Sequence, residues 1–172
     1  VCAPKIFQNN SRLRGPGIEA QIDESLFIRR KYNRGRIPRE QWVFGAIDCR
    51  KKESILVPVE RRNANTLIPI ILKYMMPGYM FVSDAWAAYL NISNYGYSHF
   101  VVNYFENFVD PLTGMHTQRV ENMWMRAKRR NKKECGTKNE PLEVYLFEFM
   151  WREKYNNNPF NNIIDHIRLF YS

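Results

Sequence analysis

Asp23, Asp84 and Glu121 are acids placed where this chain otherwise reads as folded scaffold. Asp23 lies in Ile22-Asp23-Glu24-Ser25, in the middle of an alternating stretch that reads as a strand. Asp84 closes the run Tyr79-Met80-Phe81-Val82-Ser83, and Glu121 sits near the start of a helical stretch, Val120-Glu121-Asn122-Met123-Trp124. An ionised carboxylate is costly to bury unless it is paired or holds a metal. Three carboxylates from distant segments can together hold two divalent cations, and their hard oxygens suit magnesium or manganese. Two such ions roughly 3.5–4 Å apart neutralise a scissile phosphate, activate an oxygen nucleophile and stabilise the leaving oxygen. On this reading Asp23 bridges the two ions, Asp84 binds one and Glu121 the other.

Each acid also has a plainer reading. Asp84 precedes a short helical stretch and can serve as its N-cap. Glu121 is a first-turn acid of the kind that the helix dipole favours. Asp23 can accept structural hydrogen bonds in mid-strand. The metal reading rests on all three together. Glu24 adjoins Asp23 but points to the opposite face of the strand, so it reads as structural. Asp48, Asp110 and Asp165 fall at turns or in the tail and read as solvated.

Two basic clusters flank these acids. Arg29, Arg30, Lys31, Arg34, Arg36 and Arg39 fill the loop after the Asp23 strand, with Tyr32 and Asn33 available for sugar or base contacts. Arg126, Lys128, Arg129, Arg130, Lys132, Lys133 and Lys138 extend from the Glu121 helix. Lys128 is seven residues after Glu121, nearly two helical turns, so the two share one stripe about 10 Å apart along the axis. A solvated charged loop is the plainer reading of either cluster alone. Two clusters beside one candidate site form a phosphate track. His116 reads as a loop histidine within reach of a phosphate or water. His99, Trp86, Trp124 and Trp151 read as interior residues.

The composition is consistent with this chemistry. The 172 residues carry a formal net charge of +9, with 45% hydrophobic and 15% aromatic residues. That length fits one domain with a substantial core, and the charge favours nucleic acid over membrane as partner. No stretch approaches the roughly 18 apolar residues of a membrane span. Cys2, Cys49 and Cys135 form no Cys-x-x-Cys pair, which argues against a zinc site or a disulfide framework and fits a reducing compartment. The start lacks a signal-peptide shape and a methionine, which fits a numbering that begins inside a longer chain.

The elements that must position the acids follow from periodicity. Residues 1–14 read as a lead-in segment ending at the turn signal Gly15-Pro16-Gly17. Strands are expected at 18–27, 41–48, 53–59, 79–83 and 98–103. Helices are expected at 63–76, capped by Asn65 or Thr66 with Pro69 in the first turn, and at 85–90, 117–130 and 142–155. Residues 156–172 read as a polar tail that becomes apolar again at Ile163-Ile164 and Leu169-Phe170. A three-strand meander followed by alternating helices and strands gives an α/β fold, a mixed five-stranded sheet flanked by helices. It is the order of a ribonuclease-H-like fold, in which acids on the first strand, at the end of the fourth and on a later helix fall where Asp23, Asp84 and Glu121 fall.

Several short runs carry a family resemblance. Ile22-Asp23-Glu24-Ser25, Arg30-Lys31-Tyr32-Asn33-Arg34-Gly35-Arg36, Gln41-Trp42-Val43-Phe44-Gly45 and Leu56-Val57-Pro58-Val59 come first. Ser83-Asp84-Ala85-Trp86-Ala87-Ala88-Tyr89, Asn107-Phe108-Val109-Asp110-Pro111, His116-Thr117-Gln118, Glu121-Asn122-Met123-Trp124 and Glu148-Phe149-Met150-Trp151-Arg152 follow. In this order the chain resembles the ISXO-like DDE transposase domain of bacterial insertion sequences and Merlin transposons, from about 15 to 155. From 84 to 121 is 37 positions, leaving 36 residues between the acids, which resembles the Merlin-type Asp-Asp-Glu pattern with Lys128 as its following basic residue.

The resemblance implies metal-dependent nicking of transposon ends and strand transfer into target DNA, with Asp23, Asp84 and Glu121 as catalytic metal ligands. It implies DNA as partner, a homodimer or higher assembly, no membrane, and a nuclear location in a eukaryote or a nucleoid one otherwise. It also implies an N-terminal DNA-binding region that the lead-in cannot supply. Three rivals stand beside this reading: a transposase-derived DNA-binding protein without catalysis, a related nuclease that cuts without joining, and a protein-interaction domain.

Overall fold

The computed structural model describes residues 13, 17–28, 40–102, 116–133 and 142–171. Five strands, β1 (Glu19–Ile28), β2 (Gln41–Asp48), β3 (Ser54–Val59), β4 (Met80–Ser83) and β5 (Ser98–Val101), form one sheet in the order β3-β2-β1-β4-β5. The first three are antiparallel, whereas β4 runs parallel to both β1 and β5. The expected mixed five-stranded sheet is therefore present.

Helices cover both faces. On one face α1 (Ala64–Tyr74) and two 3-10 turns, Ala87–Tyr89 and Ile92–Tyr95, pack over Ala20, Ile22, Phe44, Ala46, Ile55 and Phe81. On the other, α2 (Gln118–Lys133) and α3 (Leu142–Lys154) pack over Val43, Ile47 and Leu56 through Val120, Met123, Trp124, Leu146 and Phe149. A strand covered on both faces buries both sets of its alternating side chains. In β1 this buries Gln21 as completely as Ala20 and Ile22, so Gln21 must find hydrogen-bond partners.

Several local expectations change. The cap of α1 is Asn63, whose side chain accepts the Thr66 N–H at 3.0 Å, rather than Asn65 or Thr66. The helix therefore starts earlier and Pro69 falls inside it. Pro69 and Asn65 are both exposed, so the Asn65 carbonyl that loses its helical donor can turn to water. The stretch 85–90 forms a 3-10 turn at Ala87–Tyr89 instead of a helix. Asp48 is fully buried, not solvated. It accepts the N–H groups of Arg50 and Lys51 at 2.9 and 2.7 Å and the Tyr79 hydroxyl at 2.7 Å, which compensates its loss of water.

Trp86, expected inside, is 38% exposed. The polar tail contains a further helix, α4 (Pro159–Tyr171), with proline at its first position. Its His166 accepts the Trp151 indole N–H at 3.0 Å and meets the Tyr155 ring edge-on at 4.9 Å. Among the described residues no helix is long and apolar enough to cross a membrane.

Candidate active site

The pairing of β1 with β4 decides where two of the acids go. The parallel rungs are Glu19 with Met80, Ala20 with Phe81, and Gln21 with Val82, and there the pairing stops. Asp23 and Asp84 each lie two residues beyond that last rung, at the same level on neighbouring segments. Because side chains alternate along a strand, position 23 shares the face of Gln21. That is the face covered by α2, which carries Glu121.

The same strand fixes α2. The Gln21 side-chain oxygen accepts the N–H groups of Arg119 and Val120 at 2.9 and 3.1 Å. These are among the N–H groups that the first turn of a helix leaves without partners. Thr117, just before the helix, accepts the Glu121 N–H through its carbonyl at 3.2 Å and donates its hydroxyl to Glu121 Oε1 at 3.0 Å. One turn on, Trp124 donates its indole N–H to Asp23 Oδ2 at 3.0 Å. The other Asp23 oxygen accepts the Glu24 N–H at 2.8 Å. Helix and acid are thus held by two side chains on one face of β1.

Gly45 makes the tryptophan contact possible. It pairs with Asp23 across the β1–β2 ladder. A methyl group there would meet Trp124 Cζ2 at 2.3 Å and Cη2 at 2.6 Å, so the indole lies directly on the glycine backbone. Phe27 meets the Trp124 ring edge-on at 5.8 Å, and Lys128 Nζ sits 5.8 Å from the centre of the Phe27 ring.

Asp84 is held locally. Its Oδ1 accepts the Trp86 N–H at 3.2 Å, and its carbonyl accepts the Ser83 hydroxyl at 2.8 Å. The Ser83 oxygen lies 2.9 Å from His99 Nε2. With its one proton given to Asp84, Ser83 accepts here, so Nε2 carries the His99 proton. Burial holds the His99 pKa below its ordinary value, in keeping with a neutral ring.

Burial pushes the Asp23 carboxyl up from 3.8 to about 6. The Glu24 and Trp124 N–H groups oppose that rise, and the charges of Asp84 and Glu121 add to it. Glu24, on the opposite face as expected, is raised to about 8 by burial, then by the charges of Asp23 and Asp84, with Arg62 opposing. Glu24 accepts a short hydrogen bond from the Tyr89 hydroxyl.

Among the described residues no three acid, histidine or cysteine side chains are closed to metal-ligating spacing. The donor set nevertheless fits a divalent cation. It consists of hard carboxylate oxygens that repel one another, and positive charge between them relieves that repulsion.

A pH prediction follows from the raised value. An acid whose folded pKa exceeds its unfolded one adds stability below the unfolded value and loses it as pH rises through the folded one. For Asp23 that window runs from 3.8 to about 6. The metal-free protein is expected to lose melting temperature relative to Asp23→Asn as pH rises from 5 to 7. Manganese is expected to restore it in wild type only. A wild-type-to-variant difference that stays flat with pH counts against the burial of a charged Asp23.

The basic residues divide. Arg29, Arg30, Lys31, Arg34, Arg36 and Arg39 lie outside the described residues, as do Tyr32, Asn33, Lys138 and the side chains of Arg130 and Lys133. Lys128, Arg129 and Lys132 are exposed on α2. Arg126 is bound to Glu153 of α3 at 2.6 Å, so it ties two helices together. His116 Nδ1 is buried with no hydrogen-bond partner among the described residues.

Sequence reasoning did not single out Gln21, Gly45 or Tyr89. Gln21 had a visible signal, an amide on the inward face of a central strand. The other two show their roles only through residues far away in sequence.

Comparison with known proteins gives the family and the fold. An uncharacterized transposase-like protein of Haemophilus influenzae is 30% identical over 102 residues, 59% of this chain and 80% of that protein. The catalytic core of HTLV-2 integrase, solved with magnesium in a dimeric form, superposes with a TM-score of 0.54 at 15% identity. That likeness covers 83% of this chain and 88% of the integrase chain. The BIV integrase core superposes with a TM-score of 0.52 at 12% identity, over 90% of this chain and 98% of its own. At such identities the likeness is one of fold, and the sheet is ribonuclease-H-like. The profile of the ISXO2-like transposase domain matches residues 21–154, a span that holds all three acids and most of the chain, and the protein belongs to that family.

Proposed function

We propose that this chain is the catalytic domain of a DNA transposase of the Merlin type. Water hydrolyses a phosphodiester at the transposon end, and the freed 3′-hydroxyl then attacks a target phosphodiester, joining the transposon strand as a target 3′-hydroxyl leaves; the magnesium or manganese would be held by Asp23, Asp84 and Glu121. The observation that carries the reading is that Asp23 and Asp84 each stand two residues past the last β1–β4 rung, while the helix that carries Glu121 is anchored on the Asp23 side of β1 through Gln21 and Trp124. The magnesium of the HTLV-2 integrase core supports the choice of metal by analogy of fold.

Divalent cations, when bound here, neutralise the phosphate and activate the attacking oxygen. The chain's own part is positioning. Each Asp23 oxygen already accepts one N–H, from Glu24 or from Trp124, which fixes the plane of the carboxylate. A carboxylate oxygen has about two acceptor sites, so each would keep one for a cation, and Asp23 would be the ligand able to serve two. Thr117 aims Glu121, and the Trp86 N–H aims Asp84. Holding phosphate and nucleophile in line is the main work of a protein in phosphoryl transfer.

Lys128, Arg129 and Lys132, with Arg130 and Lys133 on the same helix and the 29–36 cluster, are the proposed phosphate contacts. The assembly is proposed to be a dimer or larger on DNA, in the nucleus of a eukaryote or the nucleoid of a bacterium.

The test is a strand-transfer assay on DNA carrying the transposon ends, with manganese and without. Joined products that require the metal are expected. Hydrolysis without joining favours a nuclease. DNA binding with no products favours a domain that binds without catalysis. DNA affinity is expected to fall linearly with salt on a double-logarithmic plot, with a slope of roughly 0.9 per phosphate contacted. A flat salt response removes the phosphate track.

A further inference from the structure

Trp86 is out of place as a core residue. It stands two positions after Asp84, is 38% exposed, and lies outside the apolar cluster on its side of the sheet. It rests on charge instead. The Arg62 guanidinium carbon is 4.8 Å from the centre of the Trp86 ring and 3.8 Å from that of Trp42. The Trp86 indole N–H donates to the Arg62 carbonyl at 2.8 Å, so the ring is fixed at its edge as well. Its backbone N–H is bound to Asp84 Oδ1. An indole that is rigid, partly open and backed by a cation is a stacking surface beside a candidate catalytic acid.

We infer that Trp86, braced by Arg62, is a stacking platform for an unpaired DNA base next to the phosphate acted on at Asp84. The inference rests on the proposed DNA chemistry and goes beyond it by naming the state of the substrate. A base inside a duplex has both faces covered by its neighbours. It can offer a face to Trp86 only once it has left the stack. Stacking on an aromatic ring tolerates any base, so the platform recognises an opened end and not a sequence. The net charge of +9 favours this polyanion over other aromatic partners.

The experiment uses the full chain without divalent metal and a DNA duplex of arbitrary sequence. One probe ends bluntly. The other ends in a two-nucleotide unpaired fork carrying 2-aminopurine, whose fluorescence falls on stacking. Wild type is expected to bind the fork roughly 10-fold tighter than the blunt duplex, the scale of one base stacked on a ring. It is also expected to quench the probe.

Trp86→Leu fills space without an aromatic face, and it should lose both the preference and the quenching while keeping blunt-duplex affinity. Trp86→Phe should retain most of both. Equal affinity of wild type for fork and blunt end, or quenching that survives Trp86→Leu, overturns the inference. If fork preference persists but strand transfer fails, only the transposase reading falls. If strand transfer works without fork preference, only this inference falls.

Discussion

Asp23→Asn is expected to lower metal-dependent DNA cleavage by about 10³-fold or more while the domain stays folded. The amide matches the carboxylate in shape but carries no charge and keeps a single acceptor oxygen. It can still accept the Trp124 indole N–H or the Glu24 N–H, though not both. The unsatisfied donor costs about 1–3 kcal/mol. Removal of a buried charge, and with it the repulsion from Asp84 and Glu121, offsets part of that cost at neutral pH. Activity and stability should therefore part company. Asp84→Asn should match the loss of activity and stay folded, because among the described residues its side chain is bound only to the Trp86 N–H. The measurement is cleavage rate beside circular dichroism. Cleavage within tenfold of wild type in either variant removes these acids from the chemistry.

Gly45→Ala should destabilise the fold. The added carbon would sit 2.3 Å from the Trp124 ring and 2.8 Å from Met123 Cε. Methionine can bend away, but an indole cannot. Trp124 must tilt or α2 must lift, and overpacking of this kind costs typically 1–3 kcal/mol. At this chain length each kcal/mol lowers the melting temperature by about 2–4 °C. The displaced indole also leaves the Asp23 carboxylate, so cleavage should fall more than the loss of stability explains. Thermal melts, tryptophan fluorescence and cleavage assays at a temperature where the variant is folded would separate the two effects. Unchanged melting and emission would mean that the indole does not lie on the glycine.

Periodicity carried most of the fold. The alternation around Ile22 and the apolar spacing Val120-Met123-Trp124-Ala127 point to the faces that are buried, and Glu24 does fall opposite Asp23. What escaped was the partner of each polar group. Asp48 looks like a turn acid, and only the arrival of Tyr79 from β4 makes it an interior acceptor. Trp86 looks like core by its type, but its neighbour is a guanidinium. A cap at Asn65 or Thr66 keeps Pro69 in the first turn, but the chain caps at Asn63 and takes the proline inside the helix. These errors share a cause. Residue type limits what a side chain can do, while its partner is chosen by chain crossings that no short stretch records. At the candidate site the acids could be picked out from their surroundings, whereas the means of holding them could not. Gln21 and Trp124 act across about a hundred residues of sequence.

Gln21 holds the start of α2 and Asp23 holds its Trp124 from one strand, so the first and third acids travel as a single piece. Among the described residues the Asp84 side chain is bound only within its own turn, to the Trp86 N–H. The two sides of the cleft are therefore anchored unequally, one by bonds that cross about a hundred residues of sequence and the other by bonds that cross one or two.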